Sequence, residues 1–161
     1  MIEWVTVVLN FHQMTEAEKR LVCQWRYPGQ YAVYDLPAFE EAKARGLSIA
    51  DPAFSREYFA YYYEGQLVGY TRLKEQPDGI FVALGVAPQL CNQGYGQQIL
   101  SIACDLAFQH TPGKPLFLLV RTWNIRAIRC YEKAGFIRIA PAFTPTERDD
   151  NVCFFRMEKK R

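Results

Sequence analysis

Two β-rich runs meet at Glu64-Gly65. Tyr58 to Tyr63 and Gln66 to Lys74 are dominated by aromatic, aliphatic and β-branched residues, and the glycine-containing pair between them predicts a hairpin. Successive strand residues face opposite ways, so one or two of the rings in Tyr61-Tyr62-Tyr63 should be buried. Gln76-Pro77-Asp78-Gly79 is a turn sequence, and Ile80 to Val86 follows as a nearly all-apolar strand, which places it centrally in a sheet. Tyr95 to Gln109 carries Ile99, Ile102, Ala103, Leu106 and Ala107 at helical spacing, and Thr111-Pro112-Gly113 ends that helix. Leu116 to Val120 reads as a buried strand. Ile125 to Ala134 reads as a helix with Gly135 as its C-terminal cap, and Phe136 to Ile139 and Val152 to Met157 as the last strands. The loop between those strands, Pro141 to Asn151, carries proline and mixed charge.

Upstream, Trp4 to Leu9 is a further β-rich run. Thr15-x-x-Glu18 is a capping-box pattern that opens a helix bearing Leu21, Val22 and Trp25, with Tyr27-Pro28-Gly29 as its stop. Asp35 is placed to cap a second helix, with Pro37 in its first turn and Gly46 at its end, and Asp51-Pro52 marks a turn. The order is therefore a strand, two helices, a three-strand meander, helix, strand, helix and two strands. This order predicts an α/β sandwich whose sheet is antiparallel at first and takes a parallel step around the 95–109 helix.

Composition narrows the field. A chain of 161 residues, half hydrophobic and 15% aromatic, suits one domain over residues 1–161 with a substantial core. The formal charge of +2 gives no reason to expect nucleic-acid binding through bulk charge. Each apolar run is interrupted short of membrane-spanning length, and Met1-Ile2-Glu3-Trp4 lacks the basic start of a signal peptide, so a soluble, cytoplasmic protein without membrane partners is expected. Cysteines at 23, 91, 104, 130 and 153 form no Cys-x-x-Cys pair, and His12 and His110 stand alone, so no metal site is expected. Cys104 and Cys130 fall in apolar helical stretches and read as small core residues.

Two strand-then-helix junctions carry the candidate chemistry. In the first, Leu84-Gly85-Val86-Ala87-Pro88 leads into Gln89-Leu90-Cys91-Asn92-Gln93-Gly94-Tyr95-Gly96 at the head of a helix. Such a junction presents main-chain N–H groups and the positive end of a helix dipole to an anion. Gly94 and Gly96 allow close approach of backbone to a pyrophosphate, and Asn92 suits a positive φ. No Lys or Arg stands in the loop, so an anion would be met by amides. The plainer reading, glycines that ease helix–sheet packing, stays open. A dinucleotide Gly-x-Gly-x-x-Gly is not matched, because Ile99 occupies the third position.

The second junction begins about thirty residues on, with Asn124-Ile125-Arg126-Ala127-Ile128-Arg129-Cys130-Tyr131 running to Gly135-Phe136. Two helical turns span about 7.2 residues, so Asn124, Ala127 or Ile128, and Tyr131 share a face. Asn124 is equally a helix N-cap and Tyr131 equally a core aromatic.

Together these segments resemble the acyl-CoA site of the GNAT superfamily of N-acetyltransferases. Val86-Ala87-Pro88 and Gly94-Tyr95-Gly96 match its Val-x-Pro and Gly-x-Gly elements, and Asn124, Ala127, Tyr131, Gly135 and Phe136 match its Asn-x-x-Ala-x-x-x-Tyr-x-x-x-Gly-Phe helix. Two positions depart: Cys91 stands where the family has Arg or Gln, and Asn92 where a glycine often follows. The resemblance covers Tyr58 to Ile139 well and the first fifty residues poorly. It implies the GNAT fold, a mixed sheet of six to seven strands flanked by about four helices. It implies acetyl-CoA as donor, with transfer directly to a primary amine and no metal. In relatives, pantetheine pairs with the main chain of the strand before the loop, here Leu84 and Val86. The pyrophosphate is held by loop amides, here Cys91 to Gly96. The Asn and Ala of the helix, here Asn124 and Ala127, lie along the pantetheine arm, and the tyrosine hydroxyl, here Tyr131, sits near the thioester sulfur as general acid.

Relatives often carry a glutamate on the strand before the loop, yet Ile80 to Val86 holds no carboxylate. Glu75 and Asp78, just ahead of it, read as solvated surface groups, which leaves the general base unassigned. In relatives the acceptor cleft is shaped by the early helices and the last strand pair, which makes Trp25, Tyr27, Tyr31 and Tyr34, with Arg26 and Asp35, and Phe143 with the loop to Asn151, its candidates, with core packing the plainer reading for most of these aromatics. The acceptor stays open among peptide N-terminus, protein lysine, polyamine, antibiotic and small metabolite, as does a homodimer. Two other readings stand beside this one. One is a non-catalytic acyl-CoA-binding homologue. The other is an unrelated nucleotide-binding protein, which the lack of a Lys after the glycines disfavours.

Overall fold

The hairpin at Glu64-Gly65 shows how local chemistry sets the architecture. In the computed structural model, which describes residues 8–147 and 150–161, both residues have positive φ (47° and 78°). That is the conformation of a two-residue turn whose twist matches its strands. It joins strand β2 (Tyr58–Tyr63) to β3 (Gln66–Gln76). The turn at Pro77–Asp78 then leads into β4 (Gly79–Val86). The remaining strands are β1 (Asn10–Gln13), β5 (Leu116–Arg121), β6 (Ile137–Arg138) and β7 (Phe154–Lys159). One seven-stranded sheet results, in the order β1-β2-β3-β4-β5-β7-β6, with β4 in the middle as its apolar sequence predicts. β4 and β5 are parallel, and β5–β7 and β6–β7 antiparallel, so the parallel step falls where expected.

Among the described residues there are four α-helices, α1 (Glu16–Val22), α2 (Phe39–Ala44), α3 (Tyr95–His110) and α4 (Ile125–Lys133), together with four short 3₁₀ turns. None of these helices is long and apolar enough to cross a membrane. The capping box at Thr15 is complete: its hydroxyl accepts from the Glu18 N–H, and the Glu18 carboxylate accepts from the Thr15 N–H at 2.8 Å.

The chain forms two compact units. One comprises residues up to Thr71 with Gly85–Tyr95, the other Arg72–Leu84 with Gly96–Arg161. The first has a core around Val22, Phe39, Ile49, Tyr58 and Ala60. The second has a core around Leu100, Phe108, Leu116, Ile128, Phe136 and Met157. Of the three consecutive tyrosines, Tyr61 is fully buried and bonds Thr71 Oγ1 at 2.8 Å.

Several expectations need correction. Most of the Trp4–Leu9 run lies outside the described residues, among which the first strand is Asn10–Gln13. α1 ends at Val22, so Trp25 lies beyond it. Asp35 does not cap α2. Its carboxylate is taken by the Tyr27 N–H at 2.8 Å, and α2 starts at Phe39 after Ala38, with no side-chain cap and with Pro37 ahead of it. The buried stripe of α3 is rotated, taking in Leu100, Cys104 and Phe108 with Ile99, Ala103 and Ala107, while Ile102 and Leu106 are half-buried. Cys104 is a core residue and Cys130 is half-buried against the same core. β7 is shifted two residues, to Phe154–Lys159, the span that pairs with Leu116–Arg121 of β5.

Candidate functional site

β4 and β5 share only two rungs, Ile80 opposite Leu116 and Phe81 opposite Phe117, although β4 runs on to Val86 and β5 to Arg121. The Ile80 N–H donates to the Pro115 carbonyl at 2.9 Å, on the β5 side. Alternate residues of a strand turn their main chain the same way, so Val82, Leu84 and Val86 direct theirs to the β5 side too, beyond the last rung. Ala87, of opposite parity, donates its N–H to Val68 of β3 at 2.9 Å, which agrees. Leu84 and Val86, the two strand positions singled out from sequence, thus lie where β4 has left its parallel partner. The Val86 carbonyl, however, already accepts the Tyr27 hydroxyl at 2.7 Å. What Val86 can offer a ligand through its main chain is its N–H.

After Ala87 the chain makes a 3₁₀ turn, Pro88–Leu90, with the Leu90 N–H on the Ala87 carbonyl at 2.9 Å. Cys91 lies beside the same strand end, its sulfur 3.6 Å from the Ala87 carbonyl oxygen and 4.0 Å from that of Val86. Asn92 has φ 64° and Gly94 φ 86°, so the loop turns through two left-handed residues before α3 begins. Asparagine tolerates that conformation and explains how the loop keeps its shape without a glycine at 92. Nothing lies within 4 Å of where a Cβ on Gly94 would stand, so that side of the loop is clear. Gln93 folds back, its amide nitrogen on the Gln89 carbonyl at 3.3 Å, and the Tyr95 ring packs at 6.1 Å from Tyr63. Gly96 lies in the first turn of α3. From Gly85 to Gln98 there is no cation, so a diphosphate at this segment would be met mostly by main-chain amides.

In the second unit, Asn124 caps α4: it is buried, and its Oδ1 accepts the Ala127 N–H at 3.1 Å. Its own N–H donates to the Arg121 carbonyl at 2.9 Å, which fixes the turn from β5 into the helix. Ala127 and Tyr131 are half-buried and pack on the core that includes Ile128. Tyr131 meets Phe136 edge-on at 6.4 Å between ring centres. Gly135, at φ 96°, ends the helix, and Lys159 of β7 donates to the Ala134 carbonyl at 2.8 Å. Asn124, Ala127, Tyr131, Gly135 and Phe136 thus form one continuous piece of structure, while the Cys91–Tyr95 loop belongs to the first unit.

Glu75 and Asp78 are surface groups, paired with Lys114 at 3.0 Å and Arg156 at 3.2 Å. Sequence reading missed a buried carboxylate, Glu18. It accepts the Thr15 N–H and hydroxyl, the Tyr62 hydroxyl, and His12 Nε2 at 2.8 Å. Burial alone would raise its pKa, but these hydrogen bonds together hold it below the usual carboxylate value. Tyr62, half-buried and bonded to that carboxylate, is pushed up to about 12 by desolvation and by Glu18. The capping box was the only sequence signal for this cluster, since His12 and Tyr62 come from β1 and β2. Among the described residues, no group of three or more His, Cys, Asp or Glu is placed to hold a metal.

Solved structures of similar fold include N-acetyltransferases. An aminoglycoside acetyltransferase AAC(6')-Ib in complex with coenzyme A superposes with TM-score 0.74 at 19% identity, covering 96% of this chain and 95% of that one. An acetyltransferase of the GNAT family from Bacillus anthracis gives 0.75 at 13%, covering 96% of each. A chimera of the spermidine N-acetyltransferase SpeG from Vibrio cholerae and hSSAT gives 0.67 at 18%, covering 93% and 94%. The sequence model of the Acetyltransferase (GNAT) family matches residues 17–136, and the chain belongs to that family. No curated protein matches the sequence significantly.

Proposed function

We propose that residues 1–161 form a single acetyl-CoA-dependent N-acetyltransferase domain, which moves an acetyl group directly to a primary amine of a small molecule, peptide or protein. The observation that carries this is the parting of β4 from β5 after two rungs, Ile80–Leu116 and Phe81–Phe117. In this reading the pantetheine arm runs along Leu84, Val86, Asn124 and Ala127. The diphosphate rests on amides from Cys91, Asn92, Gln93, Gly94, Tyr95 and Gly96. Acetyl-CoA supplies an activated thioester. Tyr131 holds its hydroxyl proton towards the departing sulfur. A thiol of pKa about 8.5 against a phenol of about 10 makes full transfer uphill, so Tyr131 acts mainly by hydrogen bonding charge as it develops. The enzyme works in the cytoplasm with the amine as its partner, independently of metal, nucleic acid or membrane.

The absence of a carboxylate on Gly79–Val86 favours a second reading, an acyl-CoA-binding homologue without turnover. Calorimetry with acetyl-CoA and with ATP, followed by CoA release with an amine panel, separates the two. Micromolar acetyl-CoA binding with release upholds the enzyme. Binding without release upholds the sensor. Preference for ATP overturns both.

A further inference from the structure

We propose that Tyr27 is a positioning residue for acyl transfer, acting through the peptide unit at the end of β4; the inference rests on the reading of that strand edge as the donor's seat. The Val86 carbonyl and the Ala87 N–H belong to one planar peptide and point to opposite sides of the strand. One end is held by the Tyr27 hydroxyl at 2.7 Å, the other by the Val68 carbonyl at 2.9 Å. The plane is therefore clamped from both sides, just where Gly85 would otherwise leave the strand loose. Gly85 is itself dictated by packing, since a Cβ there would run into the Tyr70 ring. Tyr70 is backed in turn by Trp25 at 6.0 Å.

The segment that delivers Tyr27 has little core of its own, because the 3₁₀ turn Gly29–Tyr34 buries none of its residues. Two side chains fasten it instead. Arg26 Nη1 donates to the carbonyls of Cys23, Trp25 and Leu36 at 3.0, 2.8 and 3.3 Å. Asp35 accepts the Tyr27 N–H at 2.8 Å. So many polar bonds on an exposed stretch leave Tyr27 with a fixed origin, and its ring carries that fixity to Val86. The Val86 N–H, the group left to meet the donor, lies in the preceding peptide plane, which joins the clamped one at the Val86 Cα.

Tyr27→Phe removes the hydroxyl and keeps the ring. The expected result is acetyl-CoA affinity within about threefold of wild type and an unchanged melting temperature. Turnover at saturating substrates should fall about tenfold, the size expected from slight misplacement of a bound reactant. Tyr27→His, which restores a donor, should recover part of that loss. Turnover equal to wild type, or a fall that merely follows lost affinity or stability, overturns the proposal. With no amine turned over, the carbonyl resonance of bound [1-13C]acetyl-CoA decides: a shift between wild type and Tyr27→Phe supports the clamp, and identical resonances overturn it. Wild-type protein that ignores acetyl-CoA brings down the underlying reading as well, which identical resonances would not.

Discussion

The loop from Cys91 to Gly96 departs from its family's pattern at two positions, whereas α4 keeps every one of the five residues that mark it. The loop's candidate contacts are amides, whose directions are set by φ and ψ, and Asn92 reaches the required φ of 64° without being glycine. α4 instead presents particular side chains, the Asn124 amide as its cap and the Tyr131 phenol on its face, and no change of backbone can replace them. Main-chain recognition leaves side chains free to drift; side-chain recognition does not. The two regions should therefore fail differently when altered.

The largest effect is expected from Gly94→Val. At φ 86° a β-branched residue is strained whatever the space around it, so the loop must rearrange. Acetyl-CoA affinity should fall a hundredfold or more, about 3 kcal/mol by calorimetry. Unchanged affinity would remove the loop from the site. Tyr131→Phe comes next: turnover lowered about ten- to a hundredfold, with acetyl-CoA affinity within twofold. Equal loss of affinity would mark Tyr131 as a packing residue.

Glu18 tests side-chain dependence away from the site. Its folded-state pKa is below the unfolded value, so it contributes stability above about pH 4.5 that is lost as pH falls through the folded pKa. Melting curves across pH 3 to 6 should show this acid limb flattened in Glu18→Gln, and a limb as steep as wild type would assign it to other carboxylates. The smallest effect belongs to Cys91→Ala, for which affinity and turnover should stay within about twofold, since its candidate contribution is an amide. A tenfold loss would show that the thiol itself matters, and would blur the contrast with α4.

The hairpin, the central strand and α4 were legible because each is specified locally: Glu64-Gly65 by turn chemistry, Gly79–Val86 by an unbroken apolar run, Asn124 to Gly135 by a cap at each end. The segment from Cys23 to Leu36 was not. Asp35 has the chemistry of a helix cap, but the Tyr27 N–H competes for its carboxylate, and that contest is tertiary. Tyr27 and Val86 are 59 residues apart, and no periodicity links them. The Glu18 cluster was hidden for the same reason: its capping role was visible, but its partners on β1 and β2 were not. As for the candidate site, sequence named Leu84, Val86, Asn124 and Tyr131. It could not see that the Val86 carbonyl was already engaged.

The place of β7 has a consequence for how the protein is made. It lies between β5 and β6 in the sheet, yet it follows both in the chain. During synthesis β6 emerges with no neighbour to bond to, and α4 emerges without the lysine that closes its last carbonyl. Until Phe154–Lys159 leaves the ribosome, the second unit is a gapped half-sheet with two raw edges. A translating cell thus holds this chain in an aggregation-prone form until β7 is made, and slow decoding between the codons of β6 and β7 should harm its yield more than the same delay earlier.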